Sequence, residues 1–557
     1  MHPFRFSYSI CTLLLASAWG FAGCGADPAD PSPQANAVIP GGPSAIISPP
    51  SDEVCDGLDN DDDGEVDEED PSYGLACDTG QAGICAAGTF ICGSYAELEC
   101  APDQTPQVED CSTPEDEDCD GFGGCPGGTH VWSRGVLDPG GQTYGAVATD
   151  ASNDVYVGAG AANGTVDFGN GPMAISGGIA VVKYSAAGAT LWAKPLCSPS
   201  GGASGGGTIY DIDVDPSGDV LVAGMFSGTC DFGTGPNTTS FIGSFVVKLD
   251  PAGNTIWARA FQGGAYAGSV STDAAGNVYY ASYSSHPFDF GAGPLTGADD
   301  DVVLGKLDAA GNLVWGKRFV ATKSQRLPVI DVDAAGNVVL GFLYNSSADV
   351  GTGVTYPGTG VEILLASIDP TGTTTWAKNL GGQYDQILSS LRVDPSGDIV
   401  LGGYFYYRAN FGGPTLNGID AYDAFVAKLG PTGNHVWTKG FGGPNYQEQV
   451  LLDVDGAGNI SVAGQFQGSI DLGLGAVPSS STTTYDIFAA KLSPAGATLW
   501  ARRFGDPGGQ RIDGLAVDGA GNTVLAGTLY SGAIDFGGGA LVANGGTGDA
   551  YIAKLAP

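Results

Sequence analysis

Tryptophan recurs at a near-fixed interval through most of this chain, and that interval is the strongest constraint on its fold. Trp132, Trp192, Trp257, Trp315, Trp376, Trp437 and Trp500 stand 58 to 65 residues apart. A period of that length, carried by strand-like phrases, predicts stacked modules rather than one irregular fold. Each unit holds four apolar, β-rich phrases; the second reads YDIDVD, DVLVAGMF, SFVVKL and TIWARAF. Seven four-stranded units predict an all-β chain whose residues 126–557 form a seven-bladed β-propeller.

One phrase is split. Elsewhere the third and fourth strands of a unit run together, as in KLDPAGNTIW (Lys248–Trp257). The last unit gives RIDGLAVD, NTVLAGTLY and DAYIAKL, then KLAP, with no tryptophan strand after it. The missing strand has an orphan counterpart far upstream, THVWSRGV (Thr129–Val136). The orphan strand is expected to complete the seventh blade, which removes a free sheet edge and its hazard of aggregation. The KLDPAGNTIW phrase resembles the tryptophan motif of quinoprotein propellers, where the tryptophan strand is the fourth and outermost of a blade. The whole unit resembles the seven-bladed propeller repeat of bacterial secreted proteins, the SBBP repeat, across residues 126–557.

Two tight turns recur within the units. One begins with Asp150, Asp215, Asp273, Asp333, Asp394, Asp455 or Asp518; the other includes DPAGN at Asp250 and DAAGN at Asp308. Gly or Asn supplies a left-handed residue there and Asp caps the turn, so the aspartates read as turn chemistry rather than a ring of ligands. The DFG phrases at Asp167, Asp231 and Asp289 read as further turns. Both tight turns fall on one face of the wheel. The variable links fall on the other, where binding usually sits. Tyr144, Tyr210, Tyr266, Tyr384 and Tyr446 stand near these links. They are candidate ligand-stacking residues, the other reading being packing at strand starts.

The amino terminus reads as an export signal over residues 1–24. Arg5 precedes the ten-residue apolar run ICTLLLASAW, too short to cross a bilayer. FAGC, ending at Cys24, resembles the lipobox of bacterial lipoproteins, with Phe21 where Leu is commoner. The resemblance implies lipidation of Cys24 and, with Gly25 rather than Asp next, the outer membrane or cell surface. An ordinary cleaved secretory signal is the other reading. Residues 25–50, rich in Pro, Ala, Ser and Gly, read as a flexible tether. Export permits disulfides, and Cys197 and Cys230 fall within one unit as a candidate pair.

Residues 51–125 form a small acidic, cysteine-rich module. Residues 25–125 carry 25 Asp and Glu and no Lys or Arg, out of a net charge of −40 for the chain. Such a surface repels nucleic acid and anionic lipid and attracts cations. In DNDDDGEVDEED the oxygens of Asp59, Asp61, Asp63, Glu65, Asp67 and Asp70 follow a calcium-loop spacing, with Gly64 at the turn. Asp116, Asp118 and Asp120 repeat its first half. A solvated acidic run is the bland alternative. The two stretches together resemble the metal-binding motif of MopE-type surface proteins, although Asp62 stands where that motif usually has Cys. Residues 25–125 hold no histidine, so hard-oxygen Ca²⁺ binding is expected rather than copper.

No catalytic signature stands out. His130 and His435 each lie two residues before a repeat tryptophan, which marks them as scaffold, and His286 lies off the pattern. The expected function is that of a non-catalytic surface module binding a protein or glycan. A polysaccharide hydrolase or lyase with carboxylate catalysts is the alternative.

Overall fold

The computed structural model describes residues 74–79, 83–92, 98–105, 127–136 and 141–557, apart from short stretches at 162–164, 176–177, 200–205, 264, 298, 322, 359, 383 and 546–547. Two compact units divide the chain, residues 1–73 with 92–98 and residues 74–91 with 99–557. Ala76–Asp78, Ala87–Cys92 and Leu98–Pro102 make a three-stranded sheet held by the Cys77–Cys100 disulfide. Cys24 and the acidic positions from Asp59 to Asp70 and from Asp116 to Asp120 lie outside the described residues.

The remainder is a seven-bladed β-propeller. Seven antiparallel sheets each contribute one inner strand, the first being Gln142–Thr149 and the second Gly206–Val214. The next five are Ala265–Thr272, Gln325–Val332, Gln386–Val393, Gln447–Val454 and Gln510–Val517. Each inner strand lies beside the next, and Gln510–Val517 returns to Gln142–Thr149, so the ring is closed. There is no single central core. Apolar side chains gather into seven clusters, one for each blade-to-blade interface. This explains the uninterrupted apolar second and third strands: Val338–Tyr344 and Glu362–Ile368 are buried along their whole length, packed on both faces.

The split phrase is rejoined as expected. His130–Val136 is the outer strand of the seventh blade and pairs antiparallel with Asp549–Leu555, with Trp132 opposite Lys554. Backbone hydrogen bonds extend past the strand ends, from Gly128 N to Ala556 O and from Ala556 N to Thr129 O. A side-chain relay then runs around the wheel. The indole N–H of Trp132 donates to Ala186 O in the next blade, as Trp192 does to Pro251 O and Trp257 to Ala309 O. Trp500, facing the seam, differs: its buried Nε1 has no partner among the described residues, and Gly127 lies against its ring. A Cβ on Gly127 would fall 1.5 Å from the indole Cδ1, so glycine is required there by close approach.

The repeated aspartates are turn residues. Asp215 Oδ1 accepts the N–H groups of Ser217 and Asp219, and the same pair of bonds recurs in all seven blades from Asp150 to Asp518. A lysine from the third strand, opposite the tryptophan in register, covers the carboxylate: Lys248 reaches Asp215 at 2.7 Å and Lys428 reaches Asp394 at 2.7 Å. Lys183, Lys306, Lys491 and Lys554 do the same, while the fourth blade has Ser367 in that place. The DFG aspartates are turns as well. Asp231 Oδ1 accepts from Gly233 N and Gly235 N. Cys197 and Cys230 form a disulfide, as their placement in one unit anticipated. It ties the link leaving the first blade to the second strand of the next, where Ser198–Pro199 pairs with Cys230–Asp231.

Candidate functional site

Every inner strand carries a bulge at the same level, near the face of the variable links. The register slips between Tyr144 and Val147, Ile209 and Asp211, and Tyr266 and Ser269. It slips again between Arg326 and Val329, Leu388 and Ser390, Glu448 and Leu451, and Ile512 and Gly514. A bulge leaves a residue outside the ladder and re-aims its side chain. Here the released residues include Tyr210, Leu327, Ser389, Gln449 and Asp513, and all of them line a cavity of about 600 Å³ in the channel. Leu327 and Gln449 take positive φ, 52° and 55°, a conformation costly for side-chain-bearing residues and typical of functional sites.

Deeper in the channel lies a charged level that the tryptophan period does not reveal. The residues two before the turn aspartates are Ala148, Asp213, Ser271, Asp331, Arg392, Asp453 and Ala516. The five polar ones stitch neighbouring blades. Asp331 accepts from Ser271 Oγ at 3.1 Å and from Val393 N at 2.7 Å, and Asp453 accepts from Arg392 Nε at 3.0 Å and from Val517 N at 2.8 Å. Burial pushes the Asp213 carboxyl up to about 7, with the charges of Asp331 and Asp211 adding to it against a bond from Thr272. Burial likewise raises Asp211 and Asp331, partly offset by Arg392. The doubled aspartate of DIDVD and LDVD was the available signal.

The five sequence-selected tyrosines do not share one environment. Tyr144 is in the core, its hydroxyl 2.5 Å from that of Tyr184. Tyr210 lies on the cavity wall with its hydroxyl 3.4 Å from Met225 Sδ. Tyr266 stacks on Tyr283, ring centroids 5.6 Å apart. Only Tyr384 and Tyr446 meet in one structure, a platform on the fifth and sixth blades. Tyr384 contacts Tyr407 at 5.3 Å, Tyr407 contacts Tyr406 at 4.4 Å, and Tyr406 contacts Tyr422 at 5.4 Å. Tyr422 then reaches Tyr446 at 6.4 Å and Tyr404 at 5.3 Å. Tyr384, Tyr407 and Tyr446 are 38%, 45% and 42% exposed, far more than core rings, and Tyr407 is held at a φ of 60°. Burial and then the charge of Glu448 push the Tyr404 hydroxyl up to about 12, so it stays a neutral hydrogen-bonding group near neutral pH.

The histidines divide as the repeat pattern indicated. His130 Nε2 is 3.1 Å from Ser133 Oγ and His435 Nε2 is 2.9 Å from Thr438 Oγ1, both on outer strands. His286 lies outside the channel, with Nδ1 3.0 Å from Ser285 Oγ.

Fold and repeat together define a seven-bladed β-propeller repeat protein. No family model matches the chain. A WD repeat-containing protein of Acanthamoeba polyphaga mimivirus is 22% identical over 362 residues, covering 51% of this chain. The chain spans only 26% of that relative's length. Similar solved structures include the polysaccharide lyase Uly1, at 11% identity and a TM-score of 0.40, covering 75% of this chain and 90% of that one. The Neurospora crassa Pan2 WD40 domain follows at 11% identity and a TM-score of 0.34, covering 76% and 98%.

Proposed function

We propose that this chain is an exported, lipid-anchored surface protein whose propeller binds glycans without transforming them. The observation that carries this reading is the six-tyrosine platform made by Tyr384, Tyr404, Tyr406, Tyr407, Tyr422 and Tyr446. Clustered, partly exposed rings with polar edges suit pyranose faces, which offer C–H groups to an aromatic ring and hydroxyls to its rim. Strain at Tyr407 is a cost that a scaffold function would not need. The carboxyls on the cavity wall favour binding over catalysis. Asp211 is tied to Ser269 and Val270, and Asp513 to Arg511 and Thr528. Asp213, whose carboxyl burial pushes up to about 7, lies one level below that wall.

The test is a glycan-array screen of the full chain beside Tyr407→Ala and Tyr384→Ala. Saturable binding that falls at least tenfold in both variants supports the reading. Binding unchanged in both, or turnover of a bound polysaccharide, would refute it.

The acidic module completes the proposal. Asp59, Asp61, Asp63, Glu65, Asp67 and Asp70 present hard oxygen donors for Ca²⁺, with Asp116, Asp118 and Asp120 as a partial second set. Cys24 would carry the lipid that holds the protein at the outer membrane or cell surface. Calorimetric titration with Ca²⁺ and mass analysis of the mature amino terminus test the two parts separately.

A further inference from the structure

The channel cavity carries a more specific conclusion, one that rests on the glycan-binding reading. Inner strands of all seven blades wall it, and its volume of about 600 Å³ lies inside the range typical of small-ligand pockets. Its lining descends from Tyr210, Tyr404 and Tyr530 to Asp211 and Arg392, and does not include Asp213, Asp331 or Asp453. Arg392 forms the floor. Its Nε lies 3.0 Å from Asp453 Oδ1 of the sixth blade, and its charge acts on Asp331 of the fourth and Asp211 of the second.

The lining charges balance. Arg392 and Arg511 are matched by Asp211 and Asp513, the Arg511–Asp513 pair being 2.7 Å apart. A charged ligand group would meet a like charge beside each opposite one. A hydroxyl-rich neutral group can donate to the carboxylates and accept from the guanidinium groups at once. The cavity is also continuous with the platform, because Tyr404 belongs to both: it lines the channel and packs against Tyr422.

We propose that the channel receives the terminal residue of a neutral glycan chain end-on, against Asp211 and Arg392, while the following sugars lie over the tyrosine platform. Ser389 is the place to test this. It is a bulge residue on the cavity wall, outside the strand ladder. The full chain carrying Ser389→Cys would be folded first and then treated with a bulky pyrene maleimide, with identically treated wild type as control. Both would be probed on an array of neutral oligosaccharides fixed by their reducing ends, so that each presents one free terminus.

The expected result is at least a tenfold loss of array binding when Ser389→Cys is blocked, measured against the same variant unblocked, with wild type unaffected by the reagent. If the blocked variant binds as well as the unblocked one while Tyr407→Ala is weakened, end-on entry is wrong and the platform reading stands. If wild type binds no neutral glycan on the array, the platform reading fails and this inference falls with it.

Discussion

Trp132 stands opposite Lys554 in the seventh blade, and the same lysine reaches back to the Asp518 carboxylate at 2.5 Å. One side-chain pair thus joins the orphan strand, the last strand and the turn between the blade's first two strands. Trp132 is 8% exposed and belongs to the apolar cluster between the seventh and first blades. Trp132→Ala is expected to cost about 3–5 kcal/mol, as for other buried aromatic truncations. Urea unfolding should show a lowered midpoint with an early phase from seam opening. Gly127→Ala should destabilise as well, by displacing the Trp500 ring.

The lysine–aspartate pairs predict an acid limb. Burial pushes the carboxyls of Asp215, Asp394 and Asp518 up, but lysine and turn donors outweigh it and hold them below the ordinary carboxylate value. A depressed folded value means stability that is present above about pH 4, the unfolded value, and lost as pH falls through the folded one. Lys428→Ala should cost about 3–5 kcal/mol at pH 7, since it strands a buried carboxylate, and the loss should shrink in acid. Ser367→Lys supplies the missing cation of the fourth blade beside Asp333. It should raise stability by about 1–3 kcal/mol, measurable by calorimetry.

Asp213 predicts the opposite sign. Its folded value near 7 lies above the unfolded value of about 3.9, so the folded state binds this proton more tightly. The contribution is fullest below about pH 4 and declines as pH rises towards 7. Asp213→Asn should therefore be close to neutral at pH 4 and stabilising at pH 8. Carboxyl titration by NMR, together with unfolding midpoints at the two pH values, tests it. An Asp213 that titrates near 4 would sink the prediction.

Tyr407 separates stability from binding. Its positive φ costs on the order of 1–2 kcal/mol for a residue with a side chain. Tyr407→Gly removes both strain and ring. It should leave the unfolding temperature equal or higher while abolishing platform binding, whereas Tyr407→Ala loses binding without the relief.

The wheel could be read from the chain because its signals repeat: the tryptophan period, the aspartate turns and the split KL…W phrase each recur or complement one another. The site could be read only in part, through Tyr384, Tyr446 and Tyr210, for a physical reason. Ring contacts on the platform join Tyr384, at the start of one inner strand, to Tyr406 and Tyr407 in the next strand and Tyr422 in the third. These positions are distant in sequence and follow no shared spacing. Tyr144, near the same sequence landmark, turns instead into the core. The phrase YFYYRAN, with three tyrosines in one strand, was the visible clue. The bulges that open the channel depend on local register, which composition does not encode.

The pairing of His130–Val136 with Asp549–Leu555 also governs when the molecule becomes whole. The early strand must wait, unpartnered, while six blades and most of the seventh are synthesised behind it, and only the final ribbon pairs with it. Assembly therefore has a built-in completion signal: a chain interrupted anywhere before Asp549 leaves the early strand without its partner, and the finished one covers that strand's inner edge.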